Sequence, residues 1–157
     1  AVRLLPQTMK QQIFAIVVFS LALNMFVCNP ITDSHIQANV PDSKDFNAFL
    51  QRDLNKYFQT GRSGVVQVDF ELLRKGPTQT GIAFPKYYAW VLIREGGKES
   101  KQGAVRLAAM NKSQFEVTNI VDADAIRRDP HVIESIFPQA LCDSIRKRSG
   151  ISEALKL

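Results

Sequence analysis

Two apolar runs, Ile82–Ile93 and Ala104–Met110, flank the polar stretch Glu95-Gly96-Gly97-Lys98. Gly-Gly suits a two-residue hairpin loop, because both central residues of a type I′ turn need positive φ. With those two glycines as the loop, Glu95 falls opposite Lys98 and Arg94 opposite Glu99, both opposite-charge pairs. The same register puts Trp90 over the bare backbone of Gly103. One face then carries Tyr88, Trp90, Leu92, Val105, Leu107 and Ala109, and the other Tyr87, Ala89, Val91, Ile93, Ala104, Arg106, Ala108 and Met110. Neither face is polar near its middle, so both faces of the hairpin are expected to be covered.

The pattern on either side completes a domain. Phe46, Phe49, Leu50, Leu54, Tyr57 and Phe58 recur at helical spacing, with Asp42 or Ser43 as cap and Gly61 as stop, which predicts an amphipathic helix. Its aromatic stripe reads as core, with Lys44, Asp45, Gln51, Arg52, Lys56 and Gln59 mostly on the far side. Val66, Val68, Phe70 and Leu72 alternate with polar residues as in a half-buried strand, and Gln114–Val121 reads as a fourth strand after the turn Asn111-Lys112-Ser113. Beyond it the period changes. A short helix capped by Asp122 is expected over Asp122–Arg128. A second should start at Asp129-Pro130, with Val132, Ile133, Ile136 and Phe137 inward. A third should start at Pro138, with Leu141 and Ile145 inward, Arg146-Lys147-Arg148 in its last turn and Gly150 as its stop.

The expected fold class is therefore α+β: an N-terminal helix on a four-stranded antiparallel meander, followed by short C-terminal helices. The helix covers one face of the sheet, and the C-terminal helices or a second subunit cover the other. In its element order over about residues 42–121 the chain resembles the cystatin-like and NTF2-like α+β domains, in which a helix packs on a curved antiparallel sheet. The cystatin inhibitor motifs are missing: Gln67-Val68-Asp69 lacks the Gln-x-Val-x-Gly spacing, and Trp90 follows Ala89 rather than proline. NTF2-like isomerases and dehydratases use Asp, His and Tyr between sheet and helix. Here the sheet and first helix hold no His, and only Asp69 with Tyr87 or Tyr88 offers a comparable set.

The N-terminus adds an expectation about place. From Met9, taken as the natural start, Lys10 precedes the apolar run Ile13–Cys28, and Ile36-Gln37-Ala38 offers a small-residue exit. This resembles a secretory signal peptide, since about 16 apolar residues are few for a span that needs roughly 20. A cut nearer Cys28–Ser34, an uncleaved anchor, and a lipidated Cys28 as in bacterial lipoproteins are the rivals, although Phe26-Val27 fits a lipoprotein signal poorly. Residues 1–38 are thus read as a leader, 39–150 as one domain and 151–157 as a tail, in a bacterial periplasm or envelope. Removal of the leader leaves Cys142 alone, so the domain is held by its core and not by a disulfide.

Composition narrows the function. At 45% hydrophobic and 22% charged the chain is an ordinary globular one, and a net charge of +5 spread along it argues against nucleic acid. There is no Gly-rich phosphate loop, CxxC or HExxH, so no cofactor or metal is expected. Cys142 and His131 lack an orienting third group, and Asp122, Asp124 and Asp129 lack the Gly and Glu of a calcium loop. Those aspartates read as helix caps. Arg106, which interrupts an apolar strand opposite Tyr87, is the most informative oddity. It could bind an anion or partner carboxylate, stack on Tyr87, or pair with an acid in the C-terminal helices. The candidate binding residues are Arg106, Tyr87, Tyr88 and Trp90. The expected function is a non-catalytic, exported binding or assembly module. Its partner would be a protein, a small apolar ligand or a second copy docked through the sheet, and a membrane only if the leader is uncleaved or Cys28 is lipidated. The alternative is an NTF2-like pocket enzyme.

Overall fold

The computed structural model describes residues 39–78 and 83–151. The leader, Met9, Cys28, the start of the first apolar run at Ile82 and most of the tail lie outside them. Helix α1 (Ser43–Gln59) is followed by β1 (Val66–Leu72), β2 (Lys86–Glu95), β3 (Lys98–Asn111) and β4 (Gln114–Asp122), then by α2 (Ala123–Arg128) and α3 (Gln139–Arg148). The strands form one antiparallel sheet in the order β1-β2-β3-β4. The expected α+β architecture is present, with α1 on one face and the C-terminal segment on the other.

Helix α1 buries Leu50, Leu54 and Phe58 against Val68, Ala89, Val91, Ile93, Val105, Leu107 and Ala109, with Phe46 and Phe49 at the margin. Tyr57, expected inward, stays 45% exposed. Asp42 occupies the N-cap position without a side-chain cap; its backbone carbonyl instead accepts the N–H groups of Asp45 and Phe46, each at 2.9 Å. The opposite face of the sheet holds Tyr88, Trp90, Ala104 and Val121 beneath Ala123, Ile126, Ile133, Phe137, Leu141, Cys142 and Ile145.

The turn is as the sequence predicts, with Gly96 and Gly97 at φ 59° and 81°, Glu95 opposite Lys98 and Arg94 opposite Glu99. The register beyond it is not. Ser100 is an extra residue, a β-bulge whose hydroxyl donates to the Ile93 carbonyl at 3.2 Å. One inserted residue reverses the facing of everything after it. Trp90 therefore pairs with Ala104, Val91 with Gly103, and Arg106 with Tyr88 rather than Tyr87. The residues sharing the α1 face with Tyr87, Ala89, Val91 and Ile93 are Val105, Leu107 and Ala109, and not Ala104, Arg106, Ala108 and Met110. A second bulge at Thr118 keeps β4 in step, so that Val117 and Phe115 still face α1.

The helix expected from Pro130 to Phe137 is a run of turns instead. Asp129 Oδ1 accepts the His131 N–H at 3.0 Å, and the Ile133 carbonyl accepts the N–H groups of Ile136 and Phe137. Helix α3 ends as predicted at Gly150, φ 90°, with a Schellman pattern. The N–H of Ile151 bonds to the Arg146 carbonyl and that of Gly150 to the Lys147 carbonyl, both at 3.1 Å, and Ile151 packs on the core.

Candidate functional site

The candidate residues divide between the two faces of the sheet. Tyr87 lies under α1, edge-on to Phe46 at 4.9 Å and Phe115 at 5.8 Å, and burial raises its phenol pKa. Tyr88, Trp90 and Arg106 share the other face, under the C-terminal segment. Tyr88 shares a 2.6 Å hydrogen bond with the Thr78 hydroxyl and packs 6.0 Å from the Phe137 ring. Trp90 is 8% exposed.

Arg106 neither stacks on Tyr87 nor meets an acid: among the described residues no carboxylate lies within 4 Å of it. Its Nη1 donates to the Ile136 carbonyl at 3.1 Å and its Nε to the Thr118 hydroxyl at 3.2 Å, while that hydroxyl donates to the Arg106 carbonyl at 3.0 Å. The guanidinium thus ties the turns of the C-terminal segment to β3 and β4. Beside it in register, Asn119 has a buried Oδ1 with no hydrogen-bond partner.

The other chemical candidates are separated. Asp69 pairs with Arg94 at 2.5 Å, away from Tyr87. His131 is exposed and bonds Glu134 at 3.0 Å, which, with Arg146, holds the Glu134 carboxyl below its usual range. Cys142 is buried with its sulfur 3.6 Å from the Pro138 carbonyl oxygen, and burial raises its pKa, so the thiol form is favoured. Asp122 lies 3.9 Å from Lys101, Asp124 pairs with Arg127, and Asp129 bonds the His131 N–H; none of the three carboxylates caps a helix. Among the described residues no group of three or more His, Cys, Asp or Glu side chains could hold a metal ion.

Sequence reasoning missed the polar flank of α1. Gln51, Asn55 and Gln59, one helical turn apart, lie along the outer edge of β1. Asn55 Oδ1 accepts the Val68 N–H at 3.0 Å, and Gln51 Nε2 donates to the Val68 carbonyl at 2.5 Å. Gln59 Oε1 accepts the Val66 N–H at 3.0 Å, and its Nε2 donates to the Gly64 carbonyl at 2.8 Å. On the opposite flank Asp53 Oδ2 accepts the Phe115 N–H of β4 at 2.8 Å, and Arg52 Nη2 donates to the Ser113 carbonyl at 2.5 Å. The helix therefore holds both edges of the sheet, β1 and β4. The available signal was a row of neutral amides at four-residue spacing beside the apolar stripe.

An open surface groove of about 300 Å³ lies where α1 meets the β3–β4 turn, lined by Arg52, Asp53, Lys56, Ser113 and Gln114. Asp53 is engaged by Arg52 and by Phe115, and Lys56 has no ion-pair partner among the described residues, so the groove has a basic rim. The chain matches no protein-family model, no curated protein and no solved structure, so its site is read from its own geometry.

Proposed function

We propose that the domain is a non-catalytic binding or assembly module of an exported protein, and that it meets a partner with its outer surface. One observation carries this reading. The space between α1 and the sheet, where an NTF2-like enzyme keeps its pocket, is filled by Leu50, Leu54, Phe58, Val91, Leu107 and the Phe46, Tyr87 and Phe115 rings. The grip of α1 on both sheet edges supports a cystatin-like architecture in preference to an open NTF2-like cone. The C-terminal segment covers the second face, and among the described residues the groove beside α1 is a surface open to a partner. Its basic rim, Arg52 and Lys56, suits a partner that presents carboxylates.

The test is an NMR titration of the labelled full chain. An acidic peptide such as a short polyglutamate is expected to shift resonances of Arg52, Lys56 and Gln114, more weakly as salt rises and in Lys56→Glu. Indole or benzene is expected to give no saturable shift at the Leu50, Leu54, Val91 and Leu107 methyls. A saturable interior site for such a molecule would sink the reading in favour of a pocket enzyme. A dimer whose contact shifts map to the sheet would move the partner surface to a second copy.

A further inference from the structure

Seven asparagines occur in the chain, and one of them, Asn111, opens an Asn-x-Ser/Thr triplet, Asn111-Lys112-Ser113. Asn111 is the last residue of β3, Lys112-Ser113 form the two-residue turn to β4, and all three residues are exposed. We propose that Asn111 is an acceptor for asparagine-linked glycosylation, receiving an oligosaccharide from a polyprenyl-pyrophosphate donor. The proposal rests on the exported reading of the leader, but not on the bacterial envelope named for it. It requires an export route whose membrane carries such a donor and its transferase.

The geometry of the turn favours the chemistry. Asn111 Oδ1 accepts the Ser113 N–H at 2.9 Å and the Ser113 hydroxyl at 3.0 Å. An Asx turn needs only the first of these bonds. The second brings the hydroxyl of the triplet onto the amide oxygen. An amide nitrogen is a poor nucleophile because its lone pair is delocalised onto that oxygen. Two donors on Oδ1 stabilise the negative charge that gathers there as Nδ2 gives up a proton. Nδ2 itself has one long contact, 3.4 Å to Gln114 Oε1. In the transfer, Nδ2 forms a bond to the anomeric carbon of the first sugar. The bond from that carbon to the pyrophosphate oxygen breaks, the lipid pyrophosphate leaves with the electron pair, and the Nδ2 proton passes to a carboxylate of the transferase. Lys112 at the middle position leaves the turn open to the enzyme, where proline would not. The folded product has room for the glycan, since the modified residue is on the surface and beside the groove.

The experiment expresses the full chain in a secretory eukaryotic cell twice, once with its own N-terminus and once behind an independent signal sequence fused ahead of residue 1. Intact mass and peptide mapping are compared before and after peptide-N-glycosidase. The expected result is one oligosaccharide at Asn111, removed by the glycosidase, absent in Asn111→Asp, which keeps the Asx acceptor, absent in Ser113→Ala and retained in Ser113→Thr. Modification behind the foreign signal alone would support the acceptor site while the exported reading fails. A chain delivered to the lumen by the foreign signal with Asn111 unmodified, or with the oligosaccharide persisting in Asn111→Asp, would overturn the proposal.

Discussion

A Cβ at Gly103 would sit 2.5 Å from the Val121 carbonyl oxygen and 3.1 Å from the Asp122 Cα, backbone that cannot step aside without opening the β3–β4 ladder. Glycine is required here by the close approach of β4, and not by Trp90, whose neighbour is Ala104. Gly103→Ala is expected to lose about 2–4 kcal/mol in a denaturant titration, whereas Gly76→Ala, with nothing within 4 Å of the new methyl, should stay within about 0.5 kcal/mol. At the same scale, Arg148 donates twice to Glu71, at 2.8 and 2.6 Å, and those bonds hold the Glu71 carboxyl below its ordinary range. A depressed carboxylate contributes stability above its unfolded pKa of about 4.3 and loses it as pH falls through the folded value. The melting temperature of Glu71→Gln should therefore lie furthest below wild type near neutral pH, and the gap should close towards about pH 3. A gap that widened in acid would contradict this assignment.

At the scale of the element, α1 does two jobs with two stripes. Its apolar stripe was legible because period 3.6 is a property of the sequence alone. Its amide stripe was not, because Gln51, Asn55 and Gln59 look like any solvated flank until a strand edge is placed beside them. That edge would otherwise offer unpaired N–H and C=O groups to another chain. Asn55→Ala should leave the Val68 N–H unpaired in a half-buried setting, at a cost of about 1–2 kcal/mol. Amide exchange should speed up at Val68 while Val66, held by Gln59, and Leu107 stay protected. The hairpin shows the opposite limit. Gly96-Gly97 correctly predicted the turn, yet Ser100 carries no composition signal that marks it as a bulge. The parity of β3 is decided by which side chains the two cores accept. With Ser100 looped out, Leu107 goes under α1 and Arg106 goes to the face beneath the C-terminal segment, where its side chain is half-buried and its charge remains partly hydrated.

At the largest scale, across the described residues, one sheet separates two cores, and Arg106 is a polar tie between the sheet and the outer layer. Arg106→Leu removes donors from the Ile136 carbonyl and the Thr118 hydroxyl, an expected loss of about 1–3 kcal/mol. The loss should be local. Hydrogen exchange should accelerate across the turns after Pro130 and in α3, while α1 and its contacts keep their protection. Equal acceleration in both layers would mean that the two cores open together and that Arg106 is not a separable tie. The candidate site was legible only in part for the same reason. Tyr88 and Trp90 share a face as the alternation of β2 predicts, but the bulge moved Arg106 onto that face and away from Tyr87, and the groove beside α1 draws on Arg52, Asp53, Lys56, Ser113 and Gln114, which no local pattern brings together.

The sequence by itself determined the elements and their order: one amphipathic helix, four strands joined by short connections, a Gly-Gly turn and a helix stopped at Gly150. Each follows from periodicity or from backbone freedom within a few residues. The tertiary structure alone decided the β3 register, the partner of Arg106, the sealing of the sheet edges and the position of the groove. Those depend on contacts between segments far apart in the chain, where packing of the two cores outweighs the small energies of local pairing.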